Sequence, residues 1–373
     1  MTAILQMLIG VRDARSRRSA RWMTAPASLL AATLLWTGCG SDSSTIPPPT
    51  IPPPTRLIPT IPENFPIFQD PADNPTTVEG VALGRRLFYD TTLSRNGQQS
   101  CGSCHQPSLS FGDDRRFSIG TDGVSEGTRN APPLVNLAWL RNFFWDGRAV
   151  GLENQARQPV PNPVEMDLPW DQVVARLRAH PQYPGMFERV FGDPEITEDR
   201  VVKAIAQFER TLISANSKYD RYLRGEVTLT KAERAGERIF FTEQGDCFHC
   251  HGNILFTTMR FHDIGLDLAP ADSGLAKITK LPTDVGKFKV PSLRNVEYTA
   301  PYMHDGRFQT LREVIDHYDL HVQDSPNLDP LILARNQRAP LLTEADKDSL
   351  EAFLKTLSDP DILTNPDFQD PFR

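Results

Sequence analysis

The sequence is poor in cysteine, and no cysteine is left over for a structural disulfide. Five occur in 373 residues. Four of them form two close pairs, Cys101 with Cys104 and Cys247 with Cys250, while Cys39 ends an apolar run. This distribution indicates that each cysteine has a covalent function of its own rather than a crosslinking one.

Basic charge and long apolar runs are lacking as well. The net charge of −7 argues against a nucleic-acid-binding surface and fits a soluble protein with small or basic partners. Beyond the N-terminus, no run is long and apolar enough to cross a bilayer. Strand alternation is scarce, whereas apolar residues recur at helical spacing from Val201 towards Leu223, and Thr343 heads a helix-capping sequence. The sequence therefore predicts a mainly α fold of two domains.

Residues 1–39 have the layout of an export signal. A basic stretch precedes a mostly apolar one, and Thr37-Gly38-Cys39 closes it. A cysteine after a small residue resembles the lipoprotein cleavage box of bacteria, although Trp36 stands where that box has leucine. We expect a periplasmic protein with a lipid anchor on Cys39; simple cleavage near Gly38 and an uncleaved anchor are the alternatives.

Residues 40–66 form a polar and then proline-rich linker. The sequence Ile-Pro-Pro-Pro-Thr occurs at residues 46–50 and again at 51–55. Such a stretch cannot pack a core and favours polyproline II. It predicts a stiff spacer of about 3 Å per residue between the anchor and the body; a disordered remnant is the alternative.

The body of the chain contains an internal duplication. Gly84-Arg-Arg-Leu-Phe88 precedes the first cysteine pair, as Gly236-Glu-Arg-Ile-Phe240 precedes the second. Asn136 and Asn295 are each followed, at the same distance, by an Asp-Gly-Arg sequence. The pattern predicts two copies of one structural unit.

Each cysteine pair is followed at once by a histidine, in Cys101-Gly-Ser-Cys104-His105 and in Cys247-Phe-His-Cys250-His251. In this spacing two thiols form thioethers with the haem vinyl groups, and the histidine binds the iron. Zinc held by two Cys-x-x-Cys pairs is the competing interpretation, but zinc requires neither histidine. An exported chain is also where c-type haem is assembled. We predict two covalent c-type haems with His105 and His251 as proximal ligands.

The two haems are expected to differ in their sixth ligand. No histidine occurs between His105 and His180, and Met166 is the only methionine in that stretch. The first haem therefore lacks an obvious distal ligand. An iron with an open position can bind peroxide, whereas a haem with both axial positions filled carries electrons.

Longer motifs give the chain a more specific resemblance. They are Arg129-Asn-Ala-Pro132, Phe144-Trp-Asp-Gly-Arg148, Leu152-Glu-Asn-Gln155, Asn162-Pro-Val-Glu-Met166, Lys289-Val-Pro-Ser-Leu-Arg-Asn-Val296 and Pro301-Tyr-Met-His-Asp-Gly306. Through these motifs, residues 75–357 resemble the bacterial di-haem cytochrome c peroxidase and MauG family. The resemblance implies two cytochrome c-like domains, each with one covalent c-type haem, joined by a domain interface.

The resemblance also implies roles for single residues. Trp145 resembles the tryptophan between the two haems that assists electron transfer. Gln155 and Glu165 resemble the distal pair above the peroxidatic haem, where a carboxyl can take a proton from one peroxide oxygen and deliver it to the other. From the residues alone, Trp145 would be a core side chain and Glu165 a loop carboxylate that caps an amide.

A calcium ion between the domains is implied in the same way. Asn130, Thr299 and Pro301 match positions that hold this ion in the family. Oxygen ligands, including backbone carbonyls, suit calcium.

Two departures move the chain towards the MauG type. Tyr318 stands where typical peroxidases have a methionine as sixth ligand of the second haem, and a phenolate stabilises ferric and higher-valent iron. His317 and Met303 are the alternative ligands.

Typical peroxidases also carry a histidine that blocks the first haem until the second is reduced. The corresponding loop, residues 118–125, has none, so the first haem is expected to be open without reductive activation.

Together these features predict a cytochrome-c-peroxidase-like oxidoreductase with domains at residues 67–225 and 226–373. Hydrogen peroxide would be reduced to water with electrons from a small cytochrome c or a cupredoxin. A MauG-like enzyme that oxidises residues of a partner protein is one alternative, and a non-catalytic di-haem electron carrier is another. The resemblance favours a homodimer.

Overall fold

Helices dominate the structure, and the strands are only short pairs. The computed structural model describes residues 51–67, 69–337 and 341–373. These ranges contain fourteen α-helices: α1 Val78–Tyr89, α2 Cys101–Cys104, α3 Leu152–Ala156, α4 Trp170–Ala179, α5 Tyr183–Phe191, α6 Glu198–Glu209, α7 Lys218–Leu223, α8 Lys231–Phe240, α9 Phe248–His251, α10 Ala276–Thr279, α11 Leu311–Asp316, α12 Pro330–Asn336, α13 Glu344–Lys355 and α14 Asp361–Thr364. The prediction of a mainly α fold is confirmed.

Two antiparallel strand pairs lie among the helices. Strand β1 (Asn142–Phe143) pairs with β2 (Ala149–Val150), with Phe143 opposite Ala149. Strand β3 (Phe261–His262) pairs with β4 (Phe288–Lys289), with His262 opposite Phe288. Both pairs are two residues long, which agrees with the scarcity of alternating patterns in the sequence.

Buried apolar side chains form two clusters that follow the order of the chain. The first draws on residues 83–212 together with Ile362, and the second draws on residues 219–357. The change from one cluster to the other falls a few residues before 225, where the sequence analysis places the domain boundary. That boundary stays a prediction, because the described residues from 51 onward pack as one compact unit.

A helix pair in each half is held close by a glycine. Helix α1 packs on α6 with Gly84 against the carbonyl of Ala204, and α8 packs on α13 with Gly236 against the carbonyl of Ser349. A Cβ at either glycine would lie 1.9 Å from the carbonyl oxygen, so only glycine permits this approach. The repeated Gly-x-x-x-Phe sequences therefore occupy equivalent places, which gives the duplication a structural counterpart.

The helix ends follow local capping chemistry. The Thr343 hydroxyl accepts a hydrogen bond from the Asp346 amide, and the Asp346 carboxylate accepts one from the Thr343 amide, so the predicted cap of α13 is confirmed. The helical spacing after Val201 extends further than the helix, because α6 ends at Glu209. The chain turns there, and Ser217 caps the new helix α7.

The last part of the proline-rich segment lies against the helical body. The Leu57 amide donates to the Thr76 carbonyl at 3.0 Å, and Arg56 pairs with Asp70 at 2.6 Å. Phe65 is buried beside the ring of Trp139. The signal segment 1–39, Cys39 and residues 40–50 lie outside the described residues. Within the described ranges, no helix combines the length and apolar character needed to span a membrane.

A buried ion pair ties α7 to the segment before the second Asp-Gly-Arg sequence. The guanidinium of Arg294 donates two hydrogen bonds of 2.9 Å to the Asp220 carboxylate, and both side chains are essentially inaccessible to solvent. Burial alone would raise the pKa of Asp220, but the hydrogen bonds and charge of Arg294 outweigh burial and lower it. The pair therefore stays ionised inside the protein.

Replacing Asp220 with alanine should destabilise the fold strongly, because Arg294 would remain buried without its counter-ion. We expect the free energy of unfolding to fall by about 3–5 kcal/mol, measured by urea denaturation of the haem-loaded protein. Glu226→Ala is the matched control, since it breaks the nearby exposed pair with Arg224 and should leave stability almost unchanged. Equal effects of the two substitutions would contradict the prediction.

Candidate active site

Two internal cavities contain the two Cys-x-x-Cys-His sequences. The first has a volume of about 590 Å³ and is lined by Cys101, Cys104 and His105. The second has a volume of about 230 Å³ and is lined by the other motif, Cys247, Cys250 and His251. None of these four cysteines forms a disulfide, and most of both walls is apolar, which suits a bound porphyrin.

Both motif histidines are held by the same hydrogen bond. Nδ1 of His105 lies 2.8 Å from the carbonyl oxygen of Phe111, and Nδ1 of His251 lies 2.7 Å from that of Phe256. With Nδ1 bound as the donor, Nε2 is left as the metal-binding nitrogen. Burial lowers the pKa of both histidines, that of His251 to about 4, so each is neutral as a ligand must be.

The accepting phenylalanines share an uncommon backbone conformation. Phe111 has a φ of 62° and Phe256 a φ of 52°, in the left-handed region, and both side chains are fully buried. A non-glycine residue adopts this conformation only where its surroundings enforce it. The residues present therefore fit a haem in each cavity: two thiols, and one imidazole whose orientation is fixed by the fold.

The predicted distal residues are brought together in the first cavity. Gln155, on α3, and Glu165, in the loop before α4, both line its wall beside Arg148. The amide of Asn162 donates to Glu165 at 2.7 Å. Burial raises the pKa of Glu165, while Asn162 and Arg148 oppose that rise. Oε1 of Gln155 is buried without a partner among the described residues, so it is available to a bound group.

The histidine-free loop 118–125 forms part of the same wall. It closes on itself through a hydrogen bond of 2.7 Å from the Gly120 amide to the Ser125 carbonyl, and the Thr121 amide donates to the Glu165 carbonyl at 3.0 Å. His105 is the only histidine among the lining residues described for this cavity. Met166 also lines the cavity, with a buried side chain, and is the only methionine among these lining residues.

Trp145 belongs to the wall shared by the two cavities. Its indole nitrogen donates to the Asn130 carbonyl at 2.8 Å. His304, the residue at the equivalent place in the second copy, lies with its ring 6.5 Å from the indole in an edge-on arrangement. Trp145 therefore lines both cavities that carry a haem motif, and its role in electron transfer between the haems stays a prediction.

The second cavity receives the predicted tyrosine from a π-helical turn. Tyr318 lies in the π-helix His317–His321 and lines the cavity with Cys247 and Cys250. Such turns are frequent at functional sites. Burial raises the pKa of Tyr318, and the charge of Arg335 opposes that rise. Of the two alternative ligands, Met303 lines the cavity, whereas Nε2 of His317 is bonded to the Ile264 carbonyl at 3.0 Å.

The three residues expected to hold calcium belong to the wall of one cavity. Asn130, Thr299 and Pro301 all line the second cavity. Each supplies neutral oxygen atoms only. These oxygen atoms are compatible with calcium, but the three residues include no carboxylate, which strong calcium sites use.

Sequence reasoning missed several polar residues of the two cavities. Arg129 pairs at 2.6 Å with both Asp146 and Asp272 and so joins the halves. His262 lines the second cavity, with Nδ1 at 2.6 Å from a carboxylate oxygen of Asp329. Lys289 lines both cavities. Arg129 and Lys289 belong to motifs that the sequence analysis names, but the contacts of all three are with residues distant in the sequence, so no local signal indicated those contacts.

Comparison with known proteins agrees with this geometry. A family model described as di-haem cytochrome c peroxidase matches residues 78–228. The chain is 40% identical over 309 residues to the methylamine utilization protein MauG of Methylorubrum extorquens, covering 82% of this chain and 85% of that protein. The chain belongs to the di-haem cytochrome c peroxidase family.

Further relatives place it within that family. It is 34% identical to the cytochrome c551 peroxidase of Nitrosomonas europaea, over 83% of this chain and 87% of the relative. The crystal structure of a MauG-like protein associated with microbial copper homeostasis superposes with a TM-score of 0.79 at 38% identity, covering 84% of this chain and 99% of that one. The chain is therefore a di-haem oxidoreductase of the peroxidase type with two c-type haems.

Removing one cysteine pair should remove one haem from this di-haem peroxidase. In the double variant Cys101→Ala/Cys104→Ala, the intact mass should fall by one haem, because the thioethers of that haem cannot form. The variant Cys247→Ala/Cys250→Ala should lose the other haem. Cys39→Ala is the control and should keep both; a variant that lacks either pair and still carries two covalent haems would refute the assignment.

Proposed function

We propose that this protein reduces hydrogen peroxide to water at the first cavity, with electrons that a small cytochrome c or a cupredoxin delivers. The observation that carries the proposal is the asymmetry of the two cavities. The first combines Glu165, Gln155 and Arg148 on its wall with His105 as its only described histidine. The second places Tyr318 beside its cysteines. A reactive site and an electron-relaying site require this difference.

The haems would be held in two cytochrome c-like domains by the residues that line each cavity. Cys101, Cys104 and His105 would hold one, and the second motif with Tyr318 would hold the other. When bound, they supply the iron at which peroxide reacts and a store for the electrons that the reaction consumes. The first would be open without prior reduction, which the histidine-free loop 118–125 supports.

Glu165 is suited to move the protons of the reaction. Breaking the O–O bond requires one oxygen to lose a proton and the other to gain it. The Glu165 carboxyl faces the cavity, and its raised pKa brings it nearer to neutral pH, where it can both accept and return a proton. The unpartnered Oε1 of Gln155 would orient peroxide by accepting its hydrogen bond.

Trp145 would connect the two sites. It lines both cavities, and its indole is fixed by the hydrogen bond to Asn130. An aromatic ring in the shared wall shortens each electron-transfer step between them. Calcium at Asn130, Thr299 and Pro301 would stiffen the same wall, because Asn130 also accepts the indole hydrogen bond.

A second candidate function is oxidation of residues on a partner protein. The tyrosine in the second cavity favours it, as does the identity to a MauG protein. A peroxidase should turn over rapidly with a small reduced donor, whereas an enzyme of the second kind should do so poorly and modify one protein. Both functions place the protein in the periplasm, with Cys39 as the proposed lipid anchor and a homodimer as the proposed assembly.

Oxidised protein mixed with hydrogen peroxide, without prior reduction, should react at once, and Glu165→Gln should slow turnover by about 10²–10⁴-fold while keeping both haems. The wild-type rate should also fall as the pH falls through the raised pKa of Glu165, because the carboxylate is the proton acceptor. This limb of the pH profile should be missing from the variant.

Glu126→Gln is the matched control for this measurement, since Glu126 lines the same cavity but is exposed at its rim. Its turnover and pH profile should match those of the wild type. An oxidised wild type that is inert to peroxide would refute the open site, and unchanged turnover in Glu165→Gln would refute the role of that carboxyl.

Tyr318→Phe should change the second haem only. Resting protein should show one high-spin and one low-spin ferric signal by electron paramagnetic resonance, and the substitution should shift the low-spin signal because it removes a ligand oxygen. Tyr302→Phe is the control: Tyr302 lines the same cavity, but its hydroxyl donates to the Val296 carbonyl at 3.0 Å. A low-spin signal unaffected by Tyr318→Phe would exclude this ligand.

A further inference from the structure

The wall between the two cavities contains a single charged side chain. Six residues line both cavities: Asn130, Pro133, Trp145, Lys289, Pro291 and Ser292. Lys289 is the only one of these that carries a charge. Its backbone amide donates to the Trp145 carbonyl at 2.8 Å, so the lysine is anchored to the tryptophan that joins the two sites.

The ammonium group of Lys289 has no acidic partner in the described part of the chain. Nζ donates to the Asn142 carbonyl at 3.0 Å and lies 5.8 Å from the centre of the Phe143 ring. Burial lowers the pKa of Lys289 to about 8, and no neighbouring charge opposes that effect. A carbonyl and an aromatic ring compensate only part of the hydration that the ammonium loses.

Two other lysines of the protein have the carboxylate partner that Lys289 lacks in the described part of the chain. Lys347 is buried and pairs with Asp316 at 2.7 Å and Asp319 at 3.2 Å. Lys277 also lines the first cavity, but it is half exposed and pairs with Asp272 at 3.0 Å. Lys289 itself is half-buried, and a lysine withdrawn from water usually has an acidic partner. The partner of Lys289 is therefore expected from outside the polypeptide.

The bound cofactor brings acidic groups of the required kind. Each c-type haem carries two carboxylates on the edge of the porphyrin opposite its thioether bonds. Cys101 and Cys104 line the first cavity but not the second, so the shared wall is distinct from the wall that carries the thiols. Phe143, next to Nζ, lines the first cavity only. The ammonium group therefore lies on the side of the shared wall that faces the first cavity.

We propose that Lys289 binds a carboxylate of the haem attached at His105 and thereby raises the reduction potential of that haem. The proposal rests on the two-haem assignment but not on peroxide as the substrate. Reduction lowers the positive charge of the iron by one. A cation in a low-dielectric wall favours the state with less positive charge, so it stabilises the reduced form.

The test is a spectroelectrochemical titration of the loaded protein, with Lys289→Met and Lys289→Gln as two neutral variants and Lys289→Arg as the charge-conserving one. We expect both neutral variants to have a lower reduction potential at the first haem. The expected shift of the redox equilibrium towards the oxidised form is roughly tenfold, which corresponds to 59 mV for one electron. Lys289→Arg should stay near the wild type. The propionate bands of the resonance Raman spectrum should move in the neutral variants.

Lys277→Met is the matched control, because it removes a lysine from the same cavity that already has a carboxylate partner. Its potential should equal that of the wild type. A first-haem potential that is unchanged in both neutral variants would overturn the proposal, and so would an equal shift in Lys277→Met. These potentials are measured without peroxide, so a protein that fails to turn over peroxide can still support or refute the role of Lys289.

Discussion

The hydrogen bond from a haem-motif histidine to a phenylalanine carbonyl is the interaction on which both sites depend. It fixes the ring of His105, leaves Nε2 for the metal and requires Phe111 to adopt a left-handed backbone. That conformation costs on the order of 1–3 kcal/mol. Packing keeps it in place: the buried ring of Phe111 lies against Phe88, whose helix is positioned by the contact of Gly84 with α6. The packing of helix α1 and the orientation of the His105 ring are thus connected through the contact between Phe88 and Phe111.

The second copy reproduces this arrangement, and the sites differ only in what surrounds it. Phe256 accepts from His251 and packs on Phe240, which ends the second Gly-x-x-x-Phe sequence. The other lining residues differ between the copies. Glu165, from a loop, lines the first cavity, and Tyr318, from a π-helical turn, lines the second. The duplication therefore preserves the hydrogen-bonded histidine of each site, whereas the rest of each wall varies.

This division explains what the sequence could predict. The cysteines and histidines of the motifs are adjacent in the chain because one helical turn must present them to one porphyrin. Their chemistry can therefore be predicted from a short stretch of sequence. The carbonyl of Phe111 is not, because any residue has a carbonyl and only tertiary packing enforces its conformation. The surroundings of Lys289 were not predictable either. Nothing in its motif indicates that Nζ donates to the carbonyl of Asn142 and has no carboxylate partner among the described residues. The helical spacing after Val201 was misleading because Ser217 offers a cap that restarts the helix.

The wall between the cavities joins the two copies through hydrogen bonds. Asn130 accepts from the indole of Trp145 and donates its own amide to the carbonyl of His304, at 2.8 Å in both bonds. Equivalent residues of the repeat thus meet on one asparagine. Burial lowers the pKa of His304 to about 4, so its ring is neutral and stacks on Phe288 at 3.6 Å. With that ring uncharged, the fixed positive charge of the shared wall comes from Lys289. The repeat is symmetric in its backbone, and this lysine makes the wall electrically asymmetric, because its ammonium faces the first cavity.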